Sequence, residues 1–204
     1  MSVDSAPSAR PQFLLDRRTA VPALIGRHQD FLIIAGLAGT ARDIAHLTQD
    51  AAHSYAMAGA MGGATAMALG LALAQPHRQV LAITGDGELL MNLGTLATIG
   101  VLNPPNLAII CVDNGHYGET GNQESHTARG VALDRIAAGS GIPTVRAIER
   151  EEDLAEGSRL LREGNGTRFV LLRVNDGPPP AFRRIMQPAT SRDRFRAALL
   201  GGPA

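Results

Sequence analysis

The amino-acid sequence predicts an α/β fold, a doubly wound and mainly parallel sheet that carries helices on both faces. Its 204 residues are enough for one domain with a single sizeable core. Apolar runs suited to strands alternate along the chain with stretches suited to helices. The runs LAITG and LAIICV show no alternation of polar and apolar residues, which is typical of strands that are buried on both faces.

Five strands follow from these apolar runs, and predicted helices separate them. The strands cover residues 30–35, 80–84, 107–112, 144–147 and 169–174. The helices cover residues 42–47, an Ala/Gly-rich segment after His53, and residues 88–101, 133–139 and 151–163. The last helix has acidic residues in its first turn and a glycine at its end, as helix termini prefer.

The predicted domain spans residues 13–177. Residues 1–12 are polar and contain two prolines, so we expect a flexible N-terminus rather than a signal peptide. Consecutive prolines at 178–180 interrupt the pattern, and residues 178–204 are predicted to form a C-terminal arm with one short helix. The uncharged stretch 54–75 is rich in Ala and Gly, which favours a helix buried against the sheet over a membrane span.

The composition excludes several classes of function. The 19 basic and 19 acidic residues cancel, so no overall charge attracts the protein to nucleic acid or to an anionic membrane. All the basic residues are Arg, which excludes a Schiff-base lysine and the lysine of phosphate-binding loops. Cys111 is the single cysteine, which excludes an internal disulfide and a cluster site of several thiolates, and favours a reducing, cytoplasmic location.

The most informative motif is Gly85-Asp86-Gly87, between a predicted buried strand and a predicted helix. Ligands of open α/β sheets bind at the carboxyl ends of the strands. Glycines at such a place let backbone amides approach a ligand, as a diphosphate requires. Because Asp86 would repel a diphosphate unless a divalent cation lay between them, the motif predicts bound Mg²⁺ and diphosphate.

A second motif places Asn114 28 positions after Asp86. One helix and one strand fill this interval, and a βαβ unit of about 30 residues sets two parallel strands side by side. We therefore expect both side chains to face one point, with a main-chain carbonyl of the following turn as a further oxygen ligand. Each motif alone is also a common turn, and their order and spacing make the pair specific.

These residues resemble the diphosphate-binding (PP) domains of thiamine diphosphate enzymes. The GDG motif with Asn 28 positions later is similar to their cofactor motif, and GAMGGATAMALGLALA resembles the segment that precedes it. The stretch from GDGELLMNL to GETGNQ, together with TARDI at 40–44, resembles phosphonopyruvate and sulfopyruvate decarboxylases. The resemblance implies the thiamine diphosphate-binding fold of a PP domain.

The resemblance also implies a set of ligands. Asp86, Asn114 and the main-chain carbonyl of His116 would hold Mg²⁺, while the amides that follow Asp86 would approach the diphosphate. The side chain of Met61 would support the bent cofactor, and the carbonyl of Gly59 would accept a hydrogen bond from its aminopyrimidine. The implied cofactor contacts are Gly59, Met61, Gly85, Asp86, Gly87, Glu88, Asn114 and His116.

A partner chain is implied as well. Active sites of the family lie between a PP domain and a pyrimidine-binding (PYR) domain, which supplies the glutamate that starts cofactor activation. This chain is too short for both domains, and every acidic residue before the GDG strand is an Asp. We therefore expect a PYR-domain alpha subunit to complete the site, with the Ala/Gly-rich segment around Gly59 and Met61 at the interface.

The predicted function is that of the PP subunit in a two-subunit thiamine-diphosphate-dependent 2-oxo acid decarboxylase, for sulfopyruvate or phosphonopyruvate. Arg42 is a candidate for binding the acid group of the substrate, or else a surface arginine paired with Asp43 or Asp50. His126 is a candidate substrate contact or an ordinary loop residue. Two alternatives remain: the PP subunit of a carboligase or split transketolase, and a non-catalytic nucleotide-binding Rossmann-like subunit suggested by GLAG at 36–39.

Overall fold

A computed structural model describes residues 13–57, 59–183 and 185–201. These residues form a six-stranded parallel sheet with the strand order β2-β1-β3-β4-β8-β7. Its strands are β1 (Phe31–Ala35), β2 (Ser54–Ala56), β3 (Gln79–Gly85), β4 (Leu107–Asp113), β7 (Thr144–Ile148) and β8 (Arg168–Arg173). An antiparallel hairpin of β5 (His116–Tyr117) and β6 (Gln123–Glu124) follows β4. The doubly wound α/β fold is thereby confirmed.

Helices cover both faces of the sheet. They are α1 (Arg17–Ile25), α2 (Ala38–Thr48), α3 (Ala64–Ala74), α4 (Asp86–Leu90), α5 (Gly94–Leu102), α6 (Leu133–Gly139), α7 (Leu154–Leu160) and α8 (Pro188–Leu200). Helices α1, α2 and α7 pack on one face, and α3, α5, α6 and α8 pack on the other. Successive residues of β1 and β3 belong to different core clusters, because neighbouring side chains of a strand point to opposite faces. This explains why the buried strands read as continuous apolar runs.

The structure corrects the segment after His53. Residues Ser54–Ala56 form an edge strand parallel to β1, and the helix begins only at Ala64. Gly59 and Gly62 adopt positive φ values of 92° and 84°, which interrupt a helix. Gly59 and Met61 therefore lie in the loop before α3 and not on the helix.

Further boundaries differ from the prediction. The helix predicted over 88–101 is two helices, α4 and α5, separated by the turn at 91–93. Helix α1 was not predicted, although the Asp16 side chain accepts a hydrogen bond from the Arg18 amide and caps its start. Helix α2 begins at Ala38 instead of residue 42, and α7 is shorter than predicted because a 3₁₀ turn precedes it.

The C-terminal arm contains the predicted helix, α8. This helix packs beside β2, where the Phe195 ring lies 6.1 Å from the ring of Tyr55. The predicted flexible N-terminus, residues 1–12, lies outside the described residues, and the domain limits of 13–177 stay a prediction. Within the described part of the chain, no helix is long and apolar enough to cross a membrane.

Candidate functional site

A cavity of about 790 Å³ opens at the carboxyl ends of the parallel strands. Four chain segments form most of its lining: the loop from β1 into α2, the GDG turn after β3, the loop after β4, and the chain that leaves β8. Arg17 of α1 and Met61 of the loop before α3 complete it. Ligands of open α/β sheets bind at this edge because the loops there converge between neighbouring strands. The predicted motifs therefore lie around one cavity.

Asp86 is the first residue of α4 and is buried, with 2% of its surface exposed. Its carboxylate accepts hydrogen bonds from the Ser125 hydroxyl and, at 3.1 Å, from Thr127 Oγ1. Removal from water raises the pKa of Asp86 above its ordinary value, and the two hydroxyl donors oppose that shift. The side chain is thus a fixed carboxylate, held by neighbours from a distant loop.

Asp113 ends β4 directly beside Asp86 and is completely buried. Its Oδ1 lies 2.6 Å from Thr127 Oγ1, so the two carboxylates share the single proton of one hydroxyl group. Among residues 13–57, 59–183 and 185–201, Oδ2 has no hydrogen-bond donor, and Arg173 Nε lies 3.9 Å from it. Burial and the charge of Asp86 raise the pKa of Asp113 to about 7. Two such carboxylates gain from a cation between or beside them.

Asn114 is oriented by its neighbours on both sides. Its amide nitrogen donates to Asp176 Oδ1 at 3.1 Å, and its side-chain oxygen accepts from the His116 amide at 3.3 Å. Asp176 also accepts a 2.5 Å hydrogen bond from Asn122. The His116 ring donates to the main-chain oxygen of Asn114 at 2.9 Å. Asp176 therefore determines which way the Asn114 amide oxygen points.

Glu88 joins the GDG turn to the loop after β1. The side chain is buried, and Oε2 accepts a 3.1 Å hydrogen bond from the Leu37 amide. Within the described chain Oε1 has no donor, and burial raises the pKa of this carboxyl. A Cβ at Gly36 would overlap the Glu88 carboxylate. Both glutamate and glycine are thus needed for the close approach of the two loops.

The remaining predicted cofactor contacts differ in their positions. Gly85 and Gly87 line the cavity, and a Cβ at Gly87 would overlap the Tyr117 ring that packs over it. Met61 also lines the cavity and is 42% exposed. Gly59 is exposed in the loop before α3 and is not among the described residues that line the cavity.

The two predicted substrate contacts are separated. Arg42 lines the cavity, and its guanidinium lies 3.5 Å from the carboxylate of Glu119. His126 is exposed at the start of a 3₁₀ turn and is not one of the described residues around the cavity. A different arginine, Arg17, also lines the cavity, but its guanidinium is buried on Asp43 at 2.6 Å. The Arg17–Asp43 ion pair joins α1 to α2.

The sequence analysis missed several residues of this site. They are Arg17, Asp113, Tyr117, Ser125, Thr127 and Asp176. Asp113 could have been found, since an acidic residue at the end of a buried strand needs a partner. Ser125 and Thr127 carried no comparable signal, because they meet Asp86 from 39 and 41 positions along the chain.

The oxygen atoms that Asp86, Asn114 and His116 offer to the cavity are of the kind that a hard divalent cation prefers. They are a carboxylate, an amide oxygen and a main-chain oxygen, which Mg²⁺ accepts together with phosphate oxygens and water. Burial raises the pKa of Asp86 and of Asp113, and the charge of Asp86 adds to the shift at Asp113, so a bound cation would favour the ionised form of both carboxyls. In the described residues no three His, Cys, Asp or Glu side chains cluster as a metal site, so a cation here depends on the amide and main-chain oxygens.

Comparisons with known proteins agree with this geometry. Residues 38–174 match the family described as thiamine pyrophosphate enzyme, C-terminal TPP binding domain. The chain is 42% identical over 118 residues to sulfopyruvate decarboxylase subunit beta of Methanocaldococcus jannaschii, covering 58% of this chain and 62% of that protein. It is 33% identical over 201 residues to phosphonopyruvate decarboxylase of Streptomyces viridochromogenes, covering 96% of this chain and 50% of that protein.

Two further similarities concern chain length and fold. Sulfopyruvate decarboxylase subunit beta of Methanococcus maripaludis is 29% identical, covering 91% of this chain and 98% of that protein. A solved Mycobacterium smegmatis chain, described as a candidate thiamin diphosphate-dependent enzyme, superposes with a TM-score of 0.66 at 20% identity. The alignment covers 80% of this chain and 32% of that one, and it supports the fold alone. The chain therefore belongs to the thiamine pyrophosphate enzymes, with residues 38–174 as the TPP-binding domain of that family.

Proposed function

We propose that this chain is the cofactor-binding PP subunit of a two-subunit, thiamine-diphosphate-dependent decarboxylase of small anionic 2-oxo acids. The observation that carries the proposal is the meeting of Asp86, Asn114 and His116 at one cavity, with the buried carboxylate of Asp113 directly beside Asp86. The similar proteins named sulfopyruvate and phosphonopyruvate decarboxylases support the substrate class. A nucleotide-binding subunit has no such support.

In this proposal the metal is Mg²⁺, held by the Asp86 carboxylate, the Asn114 amide oxygen and the His116 carbonyl. Asp176 acts as a positioning residue, because its hydrogen bond to the amide nitrogen turns the Asn114 oxygen away from itself. Thr127 and Ser125 hold the Asp86 carboxylate in place. The proposed ligands thus come from two segments, the GDG turn and the loop after β4, and two further segments, residues 125–127 and Asp176, support them.

Thiamine diphosphate, when bound, supplies the electron sink that makes loss of carbon dioxide from a 2-oxo acid feasible. The amides of Gly87 and Glu88 would face its diphosphate, and residues 38–40, at the start of α2, line the same cavity. Met61 would support the bent cofactor from the opposite side. The Gly59 carbonyl keeps its proposed contact with the aminopyrimidine.

Arg42 is our proposed binding group for the acid end of the substrate. It lines the cavity, and the 3.5 Å contact with exposed Glu119 leaves its guanidinium able to exchange that partner for an anion. Arg17 is less suited, since Asp43 already occupies its guanidinium. His126 stays a weaker candidate, because it would have to reach the substrate from outside the cavity lining.

The proposed partner is a PYR-domain alpha subunit. The names of the similar beta subunits imply a second subunit, and this chain spans 50% of the length of the Streptomyces phosphonopyruvate decarboxylase. The partner would contribute the glutamate that activates the cofactor, which no residue before Asp86 can provide. The single, buried Cys111 and the absence of any other cysteine fit a cytoplasmic complex.

The test is reconstitution. The purified chain, with Mg²⁺ and thiamine diphosphate, is assayed for carbon dioxide release from sulfopyruvate and phosphonopyruvate, alone and with the alpha subunit from the same organism. We expect release only from the mixture, and at least a 10-fold higher KM when the subunit carries Arg42→Ala. Full activity of the lone chain contradicts the two-subunit proposal. Carboligation products, formed without preferential release of carbon dioxide from these two acids, contradict the proposed reaction.

A further inference from the structure

The tip of the β5–β6 hairpin, residues 118–122, forms part of the cavity wall and meets helix α2 there. Glu119 projects from this tip, and its carboxylate lies 3.5 Å from the Arg42 guanidinium. The two residues are 77 positions apart in the sequence. The fold thus places a negative charge directly at the proposed binding group for the acid end of the substrate.

Glu119 differs from the other acidic residues in the described cavity lining. Asp86, Glu88 and Asp176 all accept hydrogen bonds from other parts of the protein. The Glu119 side chain is half exposed, and within the described chain the Arg42 guanidinium is its one hydrogen-bond partner. A carboxylate in this position acts on what Arg42 can bind.

The main chain of the hairpin tip is held without the Glu119 side chain. The amides of Thr120 and Asn122 donate to the Tyr117 carbonyl at 3.2 and 3.1 Å, and the Asn122 side chain donates to Asp176. An ion pair between two exposed side chains adds little to stability. Removing the charge of Glu119 therefore alters the electrostatics of the cavity and leaves its shape unchanged.

The described cavity lining contains four acidic residues and two arginines. Of the two arginines, Arg17 is already paired with the buried carboxylate of Asp43. Arg42 is thus the arginine that an incoming acid group meets, and Glu119 lies beside it. The described lining offers one guanidinium to the acid end of the substrate and keeps one anion next to that guanidinium.

The two acids proposed as substrates differ in the charge of their acid ends. A sulfonate carries one negative charge near neutral pH, whereas a phosphonate, like a phosphate ester, carries close to two. A guanidinium can bind either group through two parallel hydrogen bonds. An acid group on Arg42 lies next to the Glu119 carboxylate, where repulsion grows with the charge of the ligand. Glu119 therefore disfavours the dianion more strongly than the monoanion.

We infer that Glu119 is a specificity-determining residue, which makes the Arg42 site select a singly charged acid end, a sulfonate, over a doubly charged one, a phosphonate. The inference rests on the role of Arg42 in the proposed function, and it adds which class of acid the cavity favours. Glu119 takes no part in the reaction itself. It acts through the electrostatic potential at the Arg42 guanidinium.

The experiment uses the complex of this chain with the alpha subunit from the same organism, loaded with Mg²⁺ and thiamine diphosphate. Glu119→Gln removes the charge at nearly the same side-chain size, and Glu119→Asp keeps the charge. Glu124→Gln is the matched control, because Glu124 lies in the same hairpin, is exposed, pairs with Arg129 and is not among the described residues that line the cavity.

Two kinds of measurement are made on each variant. The kcat and KM values are determined for sulfopyruvate and phosphonopyruvate. Calorimetry gives the Kd of 3-sulfopropionate and 3-phosphonopropionate, which have the same acid ends but lack the 2-oxo group and cannot be decarboxylated. Thermal unfolding gives the Tm.

We expect the wild type to prefer the sulfonate in both kcat/KM and Kd. Glu119→Gln should reduce this preference about 5-fold, by lowering the KM and Kd of the phosphonate more than those of the sulfonate, with kcat and Tm unchanged. Glu119→Asp should retain most of the preference, and Glu124→Gln all of it.

Three results overturn the inference while the proposed function stands: equal changes for the two acids in Glu119→Gln, a shift of the same size in Glu124→Gln, or a wild type that prefers the phosphonate. Probe affinities that shift as expected, in a complex that releases no carbon dioxide, support the inference and contradict the proposed reaction. If no complex forms, or if the wild-type complex neither binds the probes nor releases carbon dioxide, both are overturned.

Discussion

Buried charged side chains have different hydrogen-bond partners at the two ends of the parallel sheet. At the amino end, Arg168 begins β8 and is 1% exposed. Its guanidinium donates to the carbonyls of Pro105, Gly166 and Leu161 and to the side chain of Gln79, the last two at 2.7 and 2.8 Å. The two terminal nitrogens thereby have acceptors, while Nε has none among the described residues. The Arg168 side chain thus joins the loops at that end through hydrogen bonds.

At the carboxyl end, buried carboxylates are incompletely paired, although Arg173 at the end of β8 lies 3.9 Å from Asp113. Within the described residues, Glu88 Oε1 and Asp113 Oδ2 have no donor, although both side chains are buried. Asp86 and Asp113 share one hydroxyl group, that of Thr127. A buried polar atom without a partner costs free energy, so an arrangement of this kind persists where a ligand completes it. The comparison therefore indicates a structural role for the charge of Arg168 and a ligand-binding role for the carboxylates at the carboxyl end.

The largest effect is expected at the amino end. Arg168→Leu leaves three carbonyls and an amide oxygen without donors and should lower the free energy of unfolding by about 3–5 kcal/mol. Urea denaturation measures this change. Arg159→Leu, on the exposed side of α7, is the control and should change stability by less than about 0.5 kcal/mol. If the two substitutions lowered the free energy of unfolding equally, the structural role of Arg168 at the amino end would be contradicted.

At the carboxyl end, Asp86→Ala should abolish tight cofactor binding without unfolding the chain. We expect Mg²⁺-dependent binding of thiamine diphosphate in the complete complex to weaken at least 100-fold, about 2.7 kcal/mol, because the charged metal ligand is lost. Asn114→Ala removes a neutral ligand that water can partly replace and should have a smaller effect. Calorimetry measures both. Normal cofactor affinity of Asp86→Ala contradicts the metal assignment.

Asp113→Asn should stabilise the chain in the absence of metal and cofactor. The pKa of Asp113 is raised to about 7 in the folded state, so the stability contribution of this group is present below its ordinary pKa near 4 and is lost as the pH rises through 7. The neutral Asn avoids that loss. We expect a gain of about 1–3 kcal/mol at pH 8 that declines toward pH 4. A gain that is independent of pH would argue against charge as its cause.

The smallest effect is expected from the histidine pair at the amino end. The rings of His28 and His53 are stacked, with one ring nitrogen donating to the other at 2.9 Å. Burial lowers the pKa of both, and the charges of His28 and Arg78 lower the pKa of His53 further. Their contribution is therefore present above the ordinary histidine pKa and lost as the pH falls through the lowered values. His53→Gln should reduce the drop in Tm between pH 7 and pH 5 by about 2 °C.

Much of the fold was predictable because a parallel sheet buried on both faces needs apolar residues at every strand position. Strands β1, β3, β4 and β8 occur where such runs were found, and the edge strand β7, which is less buried and contains Arg146, occurs at the predicted residues 144–147. The edge strand β2 was missed because three residues with mixed polarity carry no such signal, and only pairing with β1 makes them a strand. Likewise, the positive φ of Gly62 and the contact between Asn92 and the Gly62 carbonyl decide where helices begin and end.

By itself, the sequence determined the chemistry at the strand ends. The glycines beside Asp86, and Asn114 one βαβ unit later, specify an oxygen-rich edge that suits a cation and a diphosphate, and their placement follows from local pattern and spacing. Only the tertiary structure decided how that edge is supported. Thr127 reaches both carboxylates, and Asp176 turns the Asn114 amide, across 14 to 62 positions of chain. Such contacts depend on how loops pack over the sheet, which no local pattern encodes.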